Sequence, residues 1–339
     1  KMTYNYSGMS KFSNILVTGG AGYIGSVLTR KLVLSKYNVT VLDSLIFGQD
    51  GISDLVSNNS VKLFVSDIRN KKIIADVLKD VDCVIHLAAI VGEPLCSKIP
   101  VAVKQINELA TKQIIDSCRK AGVQRFIFAS TCSNYGSALE TVNEDTPLEA
   151  LSLYSETKVK SESNVLNSQD ENFEPCVLRF ATAYGLSPRM RFDLLLQEFI
   201  RDALIDKKIS IFGPNHWRPL VHVDDIASSC ITAIENSKNI SGEIYNVGDN
   251  EQNYTKKDLA EMVQKHIPSS IIEVTEAKQD PRNYKVSFDK IRNKLNFKVS
   301  KTAENGISEI LNQIQDGKLD PRDGEFSNLS KAIEKIKVF

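Results

Sequence analysis

A glycine-rich segment near the start of the chain constrains its fold more than any other sequence feature. The segment TGGAGYIG spans Thr18–Gly25; it follows a short apolar run, Ile15–Thr18, and begins an amphipathic pattern over Gly22–Ser35. Glycines at such a turn let the backbone approach a pyrophosphate, and the helix N-terminus offers amide donors. Glycine turns also occur for packing reasons, so the context of strand and helix matters. The residues expected to contact a dinucleotide here are Gly19, Gly22, Tyr23, Ile24 and Gly25.

The rest of the first half alternates short β-branched runs with helical patterns. Strands are predicted at Val39–Leu42, Lys62–Val65, Cys83–Leu87, Arg125–Ala129 and Cys176–Phe180, and helices at Val101–Ala121 and from Leu153 onward. Alternating strands and helices predict a Rossmann-type, doubly wound parallel sheet of the α/β class. We therefore expect an N-terminal extension at 1–13 and an NAD-binding domain at 14–184.

Beyond Tyr184 the rhythm becomes irregular. Helices are predicted at Asp193–Asp206, Asp224–Glu235, Thr255–His266 and Thr302–Gln315, and strands at Ile209–Ile211 and Glu243–Val247. This pattern predicts a smaller substrate-binding lobe at 185–339, interleaved with the last strands of the sheet.

Side chains after the predicted strands complete the expected cofactor site. Asp43 directly follows the second strand, where a carboxylate accepts hydrogen bonds from ribose hydroxyls and disfavours a 2′-phosphate, so NAD is expected rather than NADP. The alternative for Asp43 is a helix cap. Asp67 and Ile68 follow the third strand and are expected near the adenine, with loop capping as the alternative for Asp67. Small residues after the fourth strand leave room for the cofactor, and the contacts expected there are Leu87, Ala88 and Ala89.

A Tyr-x-x-x-Lys pair carries the expected chemistry. Tyr154 and Lys158 are four residues apart, which places them on the same helix face. A free tyrosine has a pKa of about 10, and a nearby ammonium together with the positive nicotinamide would lower it. Thr131, after the fifth strand, could share a hydrogen bond with the substrate oxygen; its alternative is a turn cap. A solvent-facing Tyr–Lys pair is common, but the order of glycine turn, acid, hydroxyl and Tyr-x-x-x-Lys is specific.

The sequence resembles the extended short-chain dehydrogenases that act on nucleotide sugars as epimerases, dehydratases and dehydrogenases. The resemblance rests on TGGAGYIG (18–25), HLAA (86–89), STCSNYG (130–136), YSETK (154–158), LRFATAYG (178–185), RPLVHVDDIA (218–227) and YNVGDNEQ (245–252). It implies a homodimer and oxidation of a sugar hydroxyl, most often at C4. It also implies that Arg218 and Arg282 bind the substrate diphosphate, each with a surface salt bridge as the alternative, and that Asn107 lies near the catalytic tyrosine.

Departures from the family pattern narrow the set of expected reactions and substrates. The 4,6-dehydratases have Asp-Glu after the active-site threonine, whereas this chain has Cys132 and Ser133, which argues against dehydration. Cys132 is expected beside the substrate, with a structural role as the alternative. The loops containing Arg189 and Arg191 resemble a bacterial branch that includes GDP-manno-heptose 4-dehydrogenases of capsule biosynthesis, and both arginines are expected to face the sugar or the diphosphate.

Composition bounds the alternatives. Lys plus Arg and Asp plus Glu are balanced at 42 each, so neither a nucleic acid nor a membrane surface is an expected partner. Six cysteines without paired or metal-ligand spacing suggest a reducing cytoplasm. The alternatives to C4 oxidation are C3/C5 epimerisation or reduction of a keto nucleotide sugar, and a non-catalytic NAD-sensing protein of the same fold.

Overall fold

The computed structural model describes residues 11–276, 280–328, 332, 335 and 336. The strands are β1 (Asn14–Thr18), β2 (Asn38–Asp43), β3 (Val61–Val65), β4 (Cys83–His86), β5 (Arg125–Thr131), β6 (Ser137–Val142), β7 (Glu174–Phe180), β8 (Thr182–Tyr184), β9 (Lys208–Ile211), β10 (Trp217–His222), β11 (Glu243–Val247), β12 (Asn253–Thr255), β13 (Ile271–Val274) and β14 (Asn283–Val286). The helices are α1 (Tyr23–Leu34), α2 (Ser53–Ser57), α3 (Lys71–Val77), α4 (Glu93–Cys96), α5 (Pro100–Val103), α6 (Thr111–Ala121), α7 (Leu153–Leu166), α8 (Leu195–Ile205), α9 (Val223–Glu235), α10 (Lys256–His266), α11 (Asp289–Leu295) and α12 (Ala303–Gln315).

A seven-stranded parallel sheet forms the centre of the structure, in the order β3-β2-β1-β4-β5-β7-β11. The predicted doubly wound α/β fold is confirmed. Strand order reverses at β1 and β4, and in such sheets ligands bind beyond the carboxyl ends of the strands at this point. The glycine turn after β1 and the small residues after β4 therefore meet at one edge of the sheet.

The second half of the chain contributes both to the large sheet and to the smaller lobe. β11 comes from this half and pairs with β7, while α9 packs against α1. The lobe contains a three-stranded sheet of β8, β10 and β12 and two-stranded pairings of β9 with β13 and of β6 with β14. No helix among the described residues is long and apolar enough to cross a membrane.

Two local features differ from the sequence predictions. Phe12 lies in the segment predicted as a polar extension, yet it is only 2% exposed and its ring lies 4.8 Å from the guanidinium carbon of Arg125. Phe12 thus packs in the core, and the first ten residues of the predicted extension at 1–13 lie outside the described part of the chain. The helix predicted at Val101–Ala121 exists, but a π-helical stretch at Lys104–Ala110 joins α5 to α6.

Candidate active site

One cavity of about 650 Å³ collects nearly all the residues singled out in the sequence. It lies beyond the carboxyl ends of the central strands and extends into the smaller lobe. The predicted residues that line it are Gly19, Gly22, Tyr23, Ile24, Gly25, Asp43, Asp67, Ile68, Leu87, Ala88, Ala89, Thr131, Tyr154, Lys158, Arg189, Arg191, Arg218 and Arg282. Two predicted residues, Asn107 and Cys132, lie outside it.

The glycine turn has no room for side chains. Gly19 has a φ of +74°, and a Cβ there would lie 2.9 Å from the Ala88 Cα atom. A Cβ at Gly25 would lie 2.0 Å from the Gly19 carbonyl oxygen. Gly22 precedes the first turn of α1, so free amide groups face the cavity at this point. This backbone cradle fits the pyrophosphate of a dinucleotide.

The Asp43 carboxylate lies at the end of β2 and braces the glycine turn. It accepts hydrogen bonds from the Ala21 backbone N–H at 3.0 Å and from the Leu45 backbone N–H at 2.8 Å. Burial raises the pKa of the Asp43 carboxyl, while these two N–H groups and the Arg189 charge lower it. Asp43 thus holds the turn in shape and also borders the cavity where the adenosine ribose would lie.

Asp67 also borders the cavity, but its carboxylate is paired. The Arg69 guanidinium donates to both Asp67 oxygens, at 2.9 Å and 2.7 Å, and the Arg69 backbone N–H donates at 2.8 Å. Arg69 also donates to Gln105, which fixes the pair against the π-helical stretch. Asp67 therefore reaches the cavity as part of an ion pair rather than as a free acid.

The helix α7 brings the tyrosine and the lysine into the cavity. Ser152 caps this helix by accepting a hydrogen bond from the Ser155 backbone N–H at 3.2 Å, which sets Tyr154 in the first turn. Lys158 lies one turn later; it is 4% exposed and donates to the Ala129 carbonyl oxygen at 2.7 Å. Its Nζ atom lies 5.9 Å from the centre of the Tyr154 ring.

Burial shifts the pKa of both catalytic candidates. It lowers the pKa of Lys158 to about 8, and Glu162, one turn further along α7, acts in the opposite direction. Burial raises the pKa of Tyr154, whereas the positive charges of Arg191 and Arg282 lower it. The neutral phenol is therefore the resting form, and additional positive charge beside it favours the phenolate. Thr131 ends β5 in the same cavity, where its hydroxyl caps the following turn by accepting from the Ser133 N–H at 3.0 Å.

A cluster of charges forms the far end of the cavity. Asp280 pairs with both Arg218 and Arg282, each at 2.8 Å, and Arg218 itself is only 3% exposed. Burial raises the pKa of the Asp280 carboxyl, but the two arginines outweigh it and hold that pKa well below its usual value. Lys256 also lines this end, and burial lowers its pKa to about 8. These cations suit a diphosphate.

Sequence analysis missed two members of this cluster. Asp280 lies two residues before Arg282, and this proximity could have identified it from the sequence. Its pairing with Arg218 could not have been predicted, because the two residues are 62 positions apart. Lys256 begins α10, where no motif marks it. Only the fold brings these residues together.

The two arginines expected at the sugar or the diphosphate have different partners in the structure. Arg191 pairs with Asp193 at 2.9 Å, and its charge acts on Tyr154. Arg189 instead stacks over the Phe47 ring at 4.6 Å, and its charge acts on Asp43. Arg189 therefore contacts the cofactor side of the cavity, although the Arg191 charge is still near enough to lower the Arg189 pKa.

Asn107 and Cys132 have structural partners instead of substrate contacts. Asn107 is buried, accepts from the Ile90 N–H at 2.8 Å and donates to the Ile90 carbonyl oxygen at 2.9 Å. It thereby shapes the loop after β4. Cys132 is 1% exposed, its thiol donates to the Arg179 carbonyl oxygen, and burial raises its pKa well above the usual value. The expected substrate contact of Cys132 is corrected, because its side chain points into the core.

The fold and the site together define a dinucleotide-dependent α/β enzyme with a tyrosine–lysine pair and a cationic substrate end. Residues 15–248 match the NAD dependent epimerase/dehydratase family, and the chain belongs to this family. It is an NAD-dependent enzyme of the extended short-chain dehydrogenase/reductase type that acts on nucleotide sugars.

Three known proteins are similar to this chain in sequence or in structure. It is 34% identical over 250 residues to an uncharacterized UDP-glucose epimerase of Bacillus subtilis, covering 70% of this chain and 77% of the relative. It is 26% identical over 321 residues to a UDP-N-acetyl-α-D-glucosaminuronate decarboxylase of Bacillus cytotoxicus, covering 87% and 96%. The structure superposes on a UDP-glucuronic acid 4-epimerase of Bacillus cereus, in complex with UDP-glucuronic acid and NAD, with a TM-score of 0.81 and 28% identity, covering 89% of this chain and 99% of that one.

Proposed function

We propose that the enzyme oxidises the C4 hydroxyl of a nucleoside-diphosphate sugar. Either the hydride returns to the opposite face of C4, as in a 4-epimerase, or the 4-keto sugar is released, as by a 4-dehydrogenase. The observation that carries the proposal is the continuity of one cavity from the glycine turn, past Tyr154 and Lys158, to Arg218 and Arg282. A cavity with this lining can hold a nicotinamide next to a sugar whose diphosphate is bound by Arg218 and Arg282.

The tyrosine is the proposed general base. Tyr154 takes the proton from the sugar hydroxyl, and Lys158 supplies positive charge beside the phenolate and a donor for the nicotinamide ribose. Thr131 donates a hydrogen bond to the same substrate oxygen. NAD, when bound, supplies the hydride acceptor and a positive ring that favours the phenolate.

The proposed nucleotide is a uridine diphosphate, because the relatives named above act on UDP-sugars or bind one. A GDP-linked sugar is the second candidate, since the loop containing Arg189 and Arg191 resembles that of the GDP-heptose dehydrogenases. C3/C5 epimerisation through a cysteine is disfavoured, because the Cys132 thiol is buried and paired outside the cavity.

The remaining proposals concern the assembly and its setting. Val101 on α5 and Leu109 in the π-helical stretch are apolar side chains that are 54% and 59% exposed. Burying them against a second copy would favour the expected homodimer, which light scattering of the purified protein tests directly. We also propose a cytoplasmic role in bacterial surface-polysaccharide synthesis, consistent with six free, buried cysteines.

The deciding experiment follows individual sugar protons during turnover. The purified enzyme is incubated with NAD and UDP-glucose, UDP-glucuronic acid or GDP-mannose in heavy water, and each sugar is monitored by proton NMR. Inversion at C4 without deuterium uptake identifies a 4-epimerase. A 4-keto product accumulating with NADH identifies a 4-dehydrogenase, and loss of carbon dioxide from UDP-glucuronic acid identifies a decarboxylase that shares the first step.

Deuterium at C3 or C5 without any C4 oxidation would contradict the proposal. The matched control is Tyr154→Phe, which should remove every sugar change in the same spectra while NAD still binds.

A further inference from the structure

Residues that follow α12 return to the active-site cavity and contact two of the loops around it. The Phe192 backbone N–H donates to the Phe326 carbonyl oxygen at 2.9 Å, and the two rings lie 6.0 Å apart. Further along, the Lys335 ammonium donates to the Ile46 carbonyl oxygen at 3.2 Å. These contacts reach the loop after β8 and the loop after β2, and Asn328 and Ile336 from this region line the cavity.

Asn328 is a polar lining residue of the cavity among the described residues that follow α12. It lines the cavity, is only 4% exposed, and is anchored by its backbone N–H, which donates to an Asp193 carboxylate oxygen at 3.2 Å. Its side-chain oxygen is shielded from solvent and has no hydrogen-bond partner among the described residues. The backbone of Asn328 is therefore anchored, while its side-chain oxygen accepts no hydrogen bond from the described residues.

An unpaired buried acceptor is costly, and native proteins retain few of them. Its cost disappears when a ligand brings a donor to the same point. Arg191, which pairs with the same aspartate, does not donate to this oxygen, because its guanidinium is bound to Asp193 at 2.9 Å and 3.1 Å. The Asn328 side-chain oxygen is thus suited to accept a hydrogen bond from a bound molecule.

The surroundings of Asn328 place it in the middle of the cavity, within reach of a sugar beside the tyrosine. Its anchor, Asp193, pairs with Arg191, whose charge acts on both Tyr154 and Tyr23. The Arg191 Nη2 atom also lies 3.9 Å from where a Cβ of Gly92 would be, in the loop after β4. Asn328 is therefore anchored to an ion pair that lies between the catalytic tyrosine and Tyr23 of the glycine turn.

We propose that Asn328 is a substrate-binding residue whose side-chain oxygen accepts a hydrogen bond from a hydroxyl of the sugar. A diphosphate cannot satisfy this oxygen, because phosphate oxygens at neutral pH carry no proton to donate. A sugar hydroxyl can. The inference rests on the proposed function, since it presupposes a nucleoside-diphosphate sugar in the cavity. It adds a specificity residue that lies outside the sequence motifs.

The test compares each nucleotide sugar with its own parent nucleotide. Calorimetry measures the affinity of the NAD-bound enzyme for UDP-glucose and UDP, for UDP-glucuronic acid and UDP, and for GDP-mannose and GDP. Asn328→Ala should weaken binding of the sugar-bearing member about 3- to 10-fold, as expected for one neutral hydrogen bond. Binding of the parent nucleotide and of NAD should change less than about two-fold. The exposed Asn312 on α12 offers a matched control, and Asn312→Ala should alter neither affinity.

A second variant separates binding from folding. Asn328→Leu fills a similar volume without a polar atom, so it should leave the thermal midpoint of the free enzyme unchanged or raise it while lowering affinity for the sugar. Equal losses for both members of a pair, a selective loss of NAD affinity, or a loss of stability without a change in sugar affinity would each overturn the inference. Failure of the wild-type enzyme to bind any of the nucleotide sugars would instead remove the proposed function, and the inference with it.

Discussion

Glu162 on α7 and Arg179 on β7 form an ion pair in which both side chains are almost completely buried, with 2.7 Å between Nη2 and Oε2. Ser130 and Asn134 donate to the same carboxylate, so its lone pairs are well satisfied. Because Lys158 lies one helical turn before Glu162, this pair fixes the catalytic helix against the central sheet. The pair lies behind the cavity and does not line it.

Breaking that pair should destabilise the protein strongly. Glu162→Gln leaves the Arg179 charge buried without compensation, which costs on the order of 3–5 kcal/mol of unfolding free energy. Urea denaturation followed by circular dichroism measures the change. The exposed Glu171 has no such role, so Glu171→Gln should stay within about 0.5 kcal/mol of the wild type. A loss for Glu162→Gln as small as that of the control would contradict the role assigned to the pair.

Removing the Tyr154 hydroxyl should abolish turnover and leave cofactor binding intact. Tyr154→Phe eliminates the proposed general base, so kcat should fall about 10²- to 10⁴-fold. NAD affinity, measured by calorimetry, should remain within about two-fold, because the glycine turn is unaffected. Tyr37→Phe is the matched control, since the Tyr37 hydroxyl contacts Glu235 away from the cavity. Substantial activity in Tyr154→Phe would assign the base to another group.

The pKa of Lys158 predicts an alkaline limit to activity. Burial lowers this pKa to about 8, so the ammonium that stabilises the Tyr154 phenolate is lost as the pH rises through that value. Activity should thus be retained below pH 8, and kcat/KM of the free enzyme should fall about 10-fold per unit above it.

Lys256 has a similarly lowered pKa, so it provides the necessary control. If Lys158 causes the fall in kcat/KM above pH 8, the same fall should be seen in Lys256→Met. If the fall disappears in that variant, Lys256 at the diphosphate end is the group that titrates.

The charge cluster around Asp280 predicts the effect of changing Arg218. Arg218→Lys keeps the positive charge but loses the planar fork, so affinity for UDP should fall about 10-fold, the fold-change of one hydrogen bond to a charged group. NAD affinity should not change. Calorimetry with each ligand separates the two effects, and Arg119→Lys, at an exposed pair with Asp170, serves as control. Equal weakening of both ligands would indicate a general loss of structure.

The sequence by itself determined the central sheet and the cofactor half of the site. Local signals suffice there, because a strand, a glycine turn and a helix follow one another directly, and the sites of Gly19, Asp43 and Ala88 all lie at strand ends that parallel pairing must bring to one edge. The i,i+4 spacing of Tyr154 and Lys158 is likewise a local property of one helix.

The tertiary structure alone decided which side chains of the second half reach the cavity. Cys132 lies next to Thr131 in sequence yet points into the core, and Arg189 lies two residues from Arg191 yet stacks over Phe47 instead of pairing with Asp193. Asn328 reaches the site through contacts with positions more than 130 residues away. Neighbouring residues on turns and loops point in directions set by distant packing, which no local periodicity encodes.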